Sequence, residues 1–388
     1  MRFLFTFSGG TGHFLPTTPF ATVLRERGHE IIYACQEAMV PAVVSAGWHA
    51  VATGGATLLA PAVRRALAPV DRLAEERAIR QSFAGLIARE RAGRLRELAA
   101  EWRPDLVVRD EVDFAGAVAA EAHGIPHASV VVIAAGGFLR PEVIGEPLAA
   151  LRAEHGLDPD DAMSMLHRYL TIVPAPSSYR DPADPLPATA RYVRPAVLES
   201  ARGEGRPPAP ATPPTVYFTL GTIFHQESGD LFRRVIAGVS KLPVSVLVTV
   251  GREIDLAELG GQPPNVRVEQ FLSAADTLAV SDVVVSHAGS GTVIGSLAFG
   301  LPQVLLPLGA DQPLNADRCE ALGVAAVLDA VTSTADAIGA ATAMVWQDPS
   351  YRTKAGLIRD EIAVLPDARH AGSLLEQLAR SRAPVSRA

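Results

Sequence analysis

The sequence holds only two cysteines, Cys35 and Cys319, among 388 residues. Two thiols make no disulfide framework in a chain of this length, so a reducing, cytoplasmic setting is the expectation. Basic residues are not in excess: 35 Lys and Arg stand against 42 Asp and Glu, a formal net charge of −7. That excludes the broad basic surface that nucleic-acid binding needs. No apolar run reaches the ~20 residues of a membrane span. The most apolar stretch, 128–139, contains Gly136 and Gly137 and reads as a buried strand with its loop. Met1 and Arg2 lead straight into a strand, so neither an export signal nor a membrane association is expected, and the protein should be soluble.

Metal-ligand patterns are equally thin. Asp158-Pro159-Asp160 has the Asp-x-Asp form that some metal-dependent enzymes use, but it follows Gly156 and not a hydrophobic strand, and reads as helix capping. His123 and His127 flank the helix stop Gly124-Ile125-Pro126 with no cysteine or carboxylate to complete a zinc set. A dinucleotide fingerprint is missing too. The glycine loop Gly9-Gly10-Thr11-Gly12 lacks the Gly-x-Gly-x-x-Gly spacing, and the second strand is followed by Ala34-Cys35-Gln36, not by an acid. Neither a metal nor a nicotinamide or flavin cofactor is therefore expected.

What is present is a globular composition, 48% hydrophobic and 20% charged, in a chain too long for one growing core. Two domains are the expectation. Arg89, Arg91, Arg94 and Arg96 are interleaved with Glu90, Glu97 and Glu101 at helical spacing and read as a solvated helix face. The apolar and aromatic run at 3–7 ends at Ser8-Gly9-Gly10-Thr11-Gly12-His13. A helix follows at 16–27 and a strand at 31–33; beyond them come an amphipathic stretch at 73–102, a strand at 106–108, a helix at 114–123 and a strand at 129–133. Strands alternating with helices imply parallel pairing through right-handed crossovers.

Residues 200–214 break this pattern with Pro207, Pro208, Pro210, Pro213 and Pro214 and read as an extended linker. The alternation restarts with a strand at 216–220, the glycine turn Gly221-Thr222 and a helix at 230–240. Strands at 244–250, 266–268, 283–286 and 303–306 follow, then helices without strands from 351 to 379. Each half opens with a Thr-bearing strand running into a glycine turn. The fold class expected is α/β, two Rossmann-like doubly wound domains facing a cleft, because ligands in such sheets sit beyond the carboxyl ends of the strands.

The strongest chemical signal is Ser286-His287-Ala288-Gly289-Ser290-Gly291-Thr292, between a strand of valines and an apolar helix. Glycines let the backbone approach a ligand. The amides of Ser290, Gly291 and Thr292 at a helix N-terminus would form an anion site, with His287 as a further donor. Downstream, the strand at 303–306 leads to Asp311-Gln312, with Asn315 one turn on. A carboxylate beside an amide suits sugar hydroxyls; taken alone, Asp311 reads equally well as the cap of a helix beginning at Pro313.

Taken together, His287, Gly289, Gly291, Thr292, Asp311 and Gln312 resemble the donor signature of the GT-B-fold glycosyltransferases that act on natural products. Phe218-Thr219-Leu220-Gly221-Thr222 and Leu306-Pro307-Leu308-Gly309-Ala310-Asp311-Gln312-Pro313-Leu314-Asn315 are similar to actinomycete enzymes that decorate polyketides and enediynes, such as the calicheamicin glycosyltransferases. The resemblance covers most of 215–325. Over 1–200 it is confined to Gly12-His13, the run from Pro104 through Asp110, and Gly124-Ile125-Pro126.

That resemblance implies an inverting sugar transfer with His13 as general base and Asp110 as its acidic partner. Glu111 and Asp113 lie close enough to leave the partner open. It also implies a donor site built from Gly221, Thr222, His287, Gly289, Ser290, Gly291, Thr292, Asp311 and Gln312. Phe271 stands where many relatives stack a Trp on the base, with Ser273 at the neighbouring Pro. The donor implied is a nucleotide diphosphate sugar, thymidine-linked in preference to uridine-linked, and the acceptor a hydroxyl of a hydrophobic small molecule bound by 54–82 and 134–165. The division expected is an acceptor domain at 1–199, a linker at 200–214, a nucleotide-sugar domain at 215–350, and C-terminal helices at 351–388 packing back on the N-terminal domain. A homodimer stays open. So do a nucleotide-sugar epimerase or hydrolase on the same fold, and a non-catalytic nucleotide-sugar-binding auxiliary protein.

Overall fold

The computed structural model describes residues 1–55, 66–199, 213–221, 228–251, 254 and 256–385. The chain divides into two compact units. Unit 1 comprises Met1–Leu59, Leu73–Ala196 and Leu365–Ala388; unit 2 comprises Ala60–Arg72 and Val197–Val364. Most of the linker expected at 200–214, Thr222, and part of the acceptor stretch 54–82 fall outside the described residues.

Unit 1 is built on seven parallel strands: β1 (Arg2–Thr6), β2 (Glu30–Cys35), β3 (Ala50–Ala52), β4 (Leu106–Asp110), β5 (His127–Val130), β6 (Leu170–Val173) and β7 (Ala190–Tyr192), in the order β3-β2-β1-β4-β5-β6-β7. The apolar alternation of β1 puts Phe3 and Phe5 in the core with Tyr33 of β2, and Phe7 and Phe14 join them just beyond the strand. Strand β5 is shorter at its far end than the sequence pattern suggests. After Val130 the amides of Val132 and Ile133 leave the ladder and donate to Glu111 Oε1, at 2.7 and 2.5 Å.

Unit 2 repeats the plan with six parallel strands: β8 (Thr215–Thr219), β9 (Ser245–Thr249), β10 (Val266–Glu269), β11 (Val283–Ser286), β12 (Gln303–Leu305) and β13 (Ala325–Val327), ordered β10-β9-β8-β11-β12-β13. Its core is almost wholly valine, leucine and isoleucine, as strands covered on both faces require. In each sheet the winding direction reverses once, between β1 and β4 in unit 1 and between β8 and β11 in unit 2. Ligand sites of doubly wound sheets lie beyond such points. Among the described residues, every strong candidate but those of the Asp311 segment and Phe271 sits at one of these two places.

Residues 351–388 do not travel as one piece. Helix Pro349–Ala363 stays with unit 2, where Arg352 bonds the Asp282 carbonyl at 3.0 Å and Ala355, Ile358 and Ile362 are buried. Only the last helix, Ala368–Ser381, lies on unit 1. Leu375 and Leu378 enter its core there, and Glu376 accepts from His29 Nε2 at 2.7 Å.

Candidate active site

In unit 1 the loop after β1 does not stay a loop for long. Thr11–Phe14 already form a helical turn, continued through Leu15–Thr17 into helix Thr18–Glu26, so His13 sits in the first turn of a helical run. Its ring is fixed from several sides. Nδ1 lies 3.1 Å from Asp110 Oδ2. Phe83 stacks on the ring at 5.9 Å between centroids and 27° between planes. Gly9, at φ +130°, leaves the space behind it, since a Cβ there would stand 2.4 Å from Cδ2 of His13.

Asp110 ends β4 and is fully buried. Oδ2 also accepts from the Ser8 amide at 2.9 Å, and Oδ1 from the Val112 amide at 2.7 Å. The two neighbouring acids are engaged elsewhere. Glu111 holds the amides of Val132 and Ile133, and burial pushes its carboxyl up to about 7. Asp113 caps helix Phe114–Ala122 through the Gly116 amide at 3.1 Å and accepts from Thr6 Oγ1 at 2.5 Å. Of the three, the acid whose oxygen meets His13 is Asp110.

Beneath this loop lies a residue assigned from the sequence to a solvated helix face. That assignment is corrected: Arg91 is fully buried and pairs with buried Asp113 at 2.9 Å. Its other donors reach Ser8 Oγ, Thr6 Oγ1, Ala34 O and Thr53 Oγ1. The physical reason is the helical stripe it belongs to, for Ala84, Ala88, Leu95 and Leu98 on the same side are all buried. Arg89 and Arg94 do face solvent and pair with Glu154 and Glu97.

In unit 2, His287 follows β11 and is buried to 7% exposure. Burial pulls its pKa down to about 4, so the imidazole is neutral at pH 7. Two of the glycines expected to admit a ligand are needed by this ring. A Cβ on Gly221 would stand 2.7 Å from Cε1, and one on Gly289 would stand 2.6 Å from Nε2. Gly291 differs: a Cβ there would meet nothing within 4 Å, so the protein itself does not demand glycine at that position. Helix Ser290–Ala298 starts at this turn, with Gly289 as its cap residue. The Thr292 amide, expected to point outward, instead folds back on the Gly289 carbonyl at 3.0 Å.

The Asp311 segment meets that helix end. Asp311 precedes helix Gln312–Leu322 but its side chain makes no capping bond. Instead Oδ2 accepts from Ser290 Oγ at 2.6 Å and from Asn315 Nδ2 at 2.8 Å. Asn315 also holds the carbonyl of Ala288, at 3.0 Å, a residue in the left-handed region at φ +70°. Gln312 does not stand beside Asp311 as a second sugar ligand with its carbonyl oxygen. That oxygen accepts from the Leu308 and Gly309 amides at 2.7 and 3.2 Å, and the side chain is buried. Phe271, just past β10, is 59% exposed.

Asn315, Phe83, Ser8 and Arg91 are parts of these clusters that the sequence reading did not place in the site. Asn315 had a signal, standing one helical turn from Asp311. Phe83 had none, because its partner is distant in sequence and its helix is locally π-wound over Ala78–Ile87. The remaining candidates resolve simply. Asp160 accepts from the Ser164 and Met165 amides at 2.9 and 2.7 Å, capping a short turn. Among the described residues no three His, Cys, Asp or Glu side chains gather as a metal site requires, and no helix is long and apolar enough to cross a membrane.

Two doubly wound units, one with a His–Asp pair at its switch point and the other with a hydroxyl–carboxylate–amide cluster at a helix N-terminus, suit transfer chemistry on a polar donor. Family comparison decides which. Residues 22–140 match the N-terminal domain and residues 233–378 the C-terminal domain of the erythromycin biosynthesis protein CIII-like family. The elloramycin glycosyltransferase ElmGT of Streptomyces olivaceus is 30% identical over 384 residues, covering 94% of each chain. The chain belongs to the EryCIII-like glycosyltransferases. The GT-B fold of this glycosyltransferase is shared with the calicheamicin glycosyltransferase CalG4 (TM-score 0.78, 24% identity, 98% of each chain). It is shared as well with the spinosyn rhamnosyltransferase SpnG in complex with thymidine diphosphate (TM-score 0.79, 20% identity, 97% of this chain and 100% of that one).

Proposed function

We propose that this glycosyltransferase moves a sugar, a deoxysugar in keeping with its relatives, from a thymidine diphosphate donor to a hydroxyl of a hydrophobic natural-product aglycone, with inversion at the anomeric carbon. The observation that carries the reading is the 3.1 Å contact between His13 Nδ1 and Asp110 Oδ2. A carboxylate on one ring nitrogen orients the imidazole and favours its protonated form, so the other nitrogen can take the proton of an attacking alcohol. Unit 2 would hold the donor. The helix beginning at Ser290 offers its positive end to the diphosphate, Asp311 and Asn315 meet sugar hydroxyls, and Phe271 stacks on the base. Gly221, Thr222 and neutral His287 complete that side, and the helix end with its donors eases departure of the diphosphate without a metal.

Similarity to the elloramycin glycosyltransferase supports the acceptor class, and the spinosyn rhamnosyltransferase in complex with thymidine diphosphate supports the donor class. Thermal-shift titration with thymidine, uridine and guanosine diphosphates tests the reading. Thymidine diphosphate should raise the melting temperature most and guanosine diphosphate least; no response to any of them removes the donor assignment. Turnover of donor with no acceptor present, as fast as with one, would mark a hydrolase or epimerase instead.

A further inference from the structure

Arg109, Ser129 and Thr171 stand in register on three neighbouring strands of unit 1, β4, β5 and β6. Strands buried on both faces of a parallel sheet are ordinarily filled by Val, Ile and Leu. Here one row carries a guanidinium and two hydroxyls, all buried. The row lines a cavity of about 240 Å³, whose apolar wall includes Val131, Leu139 and Leu166.

Two features of this row are unfavourable as they stand. Thr171 Oγ1 is buried and makes no hydrogen bond among the described residues. Desolvated hydroxyls nearly always find a partner. Arg109 is fully buried, yet its hydrogen bonds run to the carbonyls of Asp110, Glu111 and Leu166, at 3.0, 3.2 and 2.8 Å, and to His127 Nδ1 at 3.4 Å. None of them reaches a carboxylate; burial pulls the guanidinium pKa down to about 10, although Asp113, Asp110, Glu111 and Glu121 oppose that pull without bonding to it. Buried cations are normally paired. The other arginine of the cavity obeys that rule, for Arg180 holds Asp184 at 2.7 Å. Glu111 also lines the cavity, but one of its oxygens is committed to backbone amides.

We propose that this cavity binds a small oxyanion, a carboxylate group, held by Arg109 and by the Ser129 and Thr171 hydroxyls. A carboxylate supplies the direct ionic hydrogen bond that Arg109 lacks and the acceptor that each hydroxyl can bond. At about 240 Å³ the space falls below the ~300–1,000 Å³ of pockets that take whole drug-sized ligands, so it suits a fragment-sized group. That group is either a free small acid or the acidic substituent of a larger molecule. The site does not depend on the transfer chemistry proposed above, although Glu111 in its wall directly follows Asp110 in the chain.

Calorimetric titration of the full chain with sodium acetate, sodium benzoate and inorganic phosphate, at constant ionic strength, tests it. Acetate or benzoate should bind saturably, and both Thr171→Val and Ser129→Ala should weaken that binding at least tenfold while the melting temperature without ligand shows each variant folded. Benzoate at least tenfold tighter than acetate assigns the cavity to a carboxylate carried on a ring; equal affinities assign it to a free anion. Absence of saturable carboxylate binding, binding of phosphate alone, or affinities unchanged in both variants overturns the proposal. Anions that settle at the Ser290 helix end instead would give that last result.

Discussion

Gly289 has no side chain where His287 has its ring: a Cβ at 289 would stand 2.6 Å from Nε2 of the imidazole. The backbone of Gly289 is in an ordinary extended conformation, φ −63° and ψ 142°, so alanine there meets no torsional objection, only the ring. Gly289→Ala should therefore destabilise unit 2 by about 1–3 kcal/mol, the usual cost of overpacking. The cost should largely vanish when His287→Ala is made as well. Urea denaturation of the two single variants and the double measures the coupling. Additivity within about 0.5 kcal/mol would show that the glycine answers to something else.

His13 and Asp110 carry the next expectation. His13→Ala should lower turnover about 10²–10⁴-fold, the range lost with a general base, and leave the affinity for thymidine diphosphate unaltered. Asp110→Asn should cost at least tenfold, because an amide cannot stabilise the imidazolium. Steady-state rates paired with calorimetry separate the two effects. A His13→Ala enzyme of undiminished rate removes the histidine from the chemistry.

Asp311 separates two readings of one residue. A simple helix cap would lose about 1 kcal/mol of stability when replaced, with donor affinity untouched. Its carboxylate instead gathers Ser290 Oγ and Asn315 Nδ2 at the start of another helix, at 2.6 and 2.8 Å. Asp311→Asn should weaken nucleotide-sugar binding at least tenfold and change the melting temperature little. The opposite pattern, intact binding and lost stability, would return Asp311 to capping.

Much of this architecture was written locally. Valine-rich and aromatic runs ending in glycine announce parallel strands and their turns, and the two sheets form from those runs. The histidines were legible for the same reason, each standing a few residues beyond such a strand. What escaped was the side-chain business conducted across the sheet. The partner acid of His13 could not be chosen among Asp110, Glu111 and Asp113, since that choice depends on which oxygen the strand end turns toward the loop. Nor does sequence spacing show that the Gln312 oxygen closes the loop before it.

Arg91 is the sharpest case of that limit. Charge spacing placed it with Arg89 on a wet helix face, whereas the apolar stripe of Ala84, Ala88, Leu95 and Leu98 places it inside. Removing one member of a buried ion pair leaves the other uncompensated and costs about 3–5 kcal/mol. Arg91→Met should fall in that range, and Arg89→Ala, whose side chain is 51% exposed, should stay within about 0.5 kcal/mol. Denaturation midpoints of the two variants, measured side by side, check it. Equal and small losses would mean that water reaches Arg91 in solution.

Glu111 gives a pH dependence of definite sign. Burial raises its carboxyl from 4.5 to about 7 in the folded chain. The folded state thus holds the proton more tightly than the unfolded one. The corresponding stability is fully present below about pH 4.5 and is lost as pH rises through about 7. At 1.36 kcal/mol per pH unit the loss is about 3 kcal/mol. Glutamine cannot ionise, yet its oxygen can still accept from the Val132 and Ile133 amides. Glu111→Gln should therefore gain on the parent protein by about that amount between pH 4.5 and pH 8. His127 and His287, both drawn down to about 4 by burial, work the other way and weaken the parent and the variant alike as pH falls from 6.5 toward 4. Urea titrations at pH 5 and pH 8 isolate the Glu111 share as the difference between the two proteins. A difference independent of pH would mean that Glu111 ionises in the folded chain as readily as in the unfolded one.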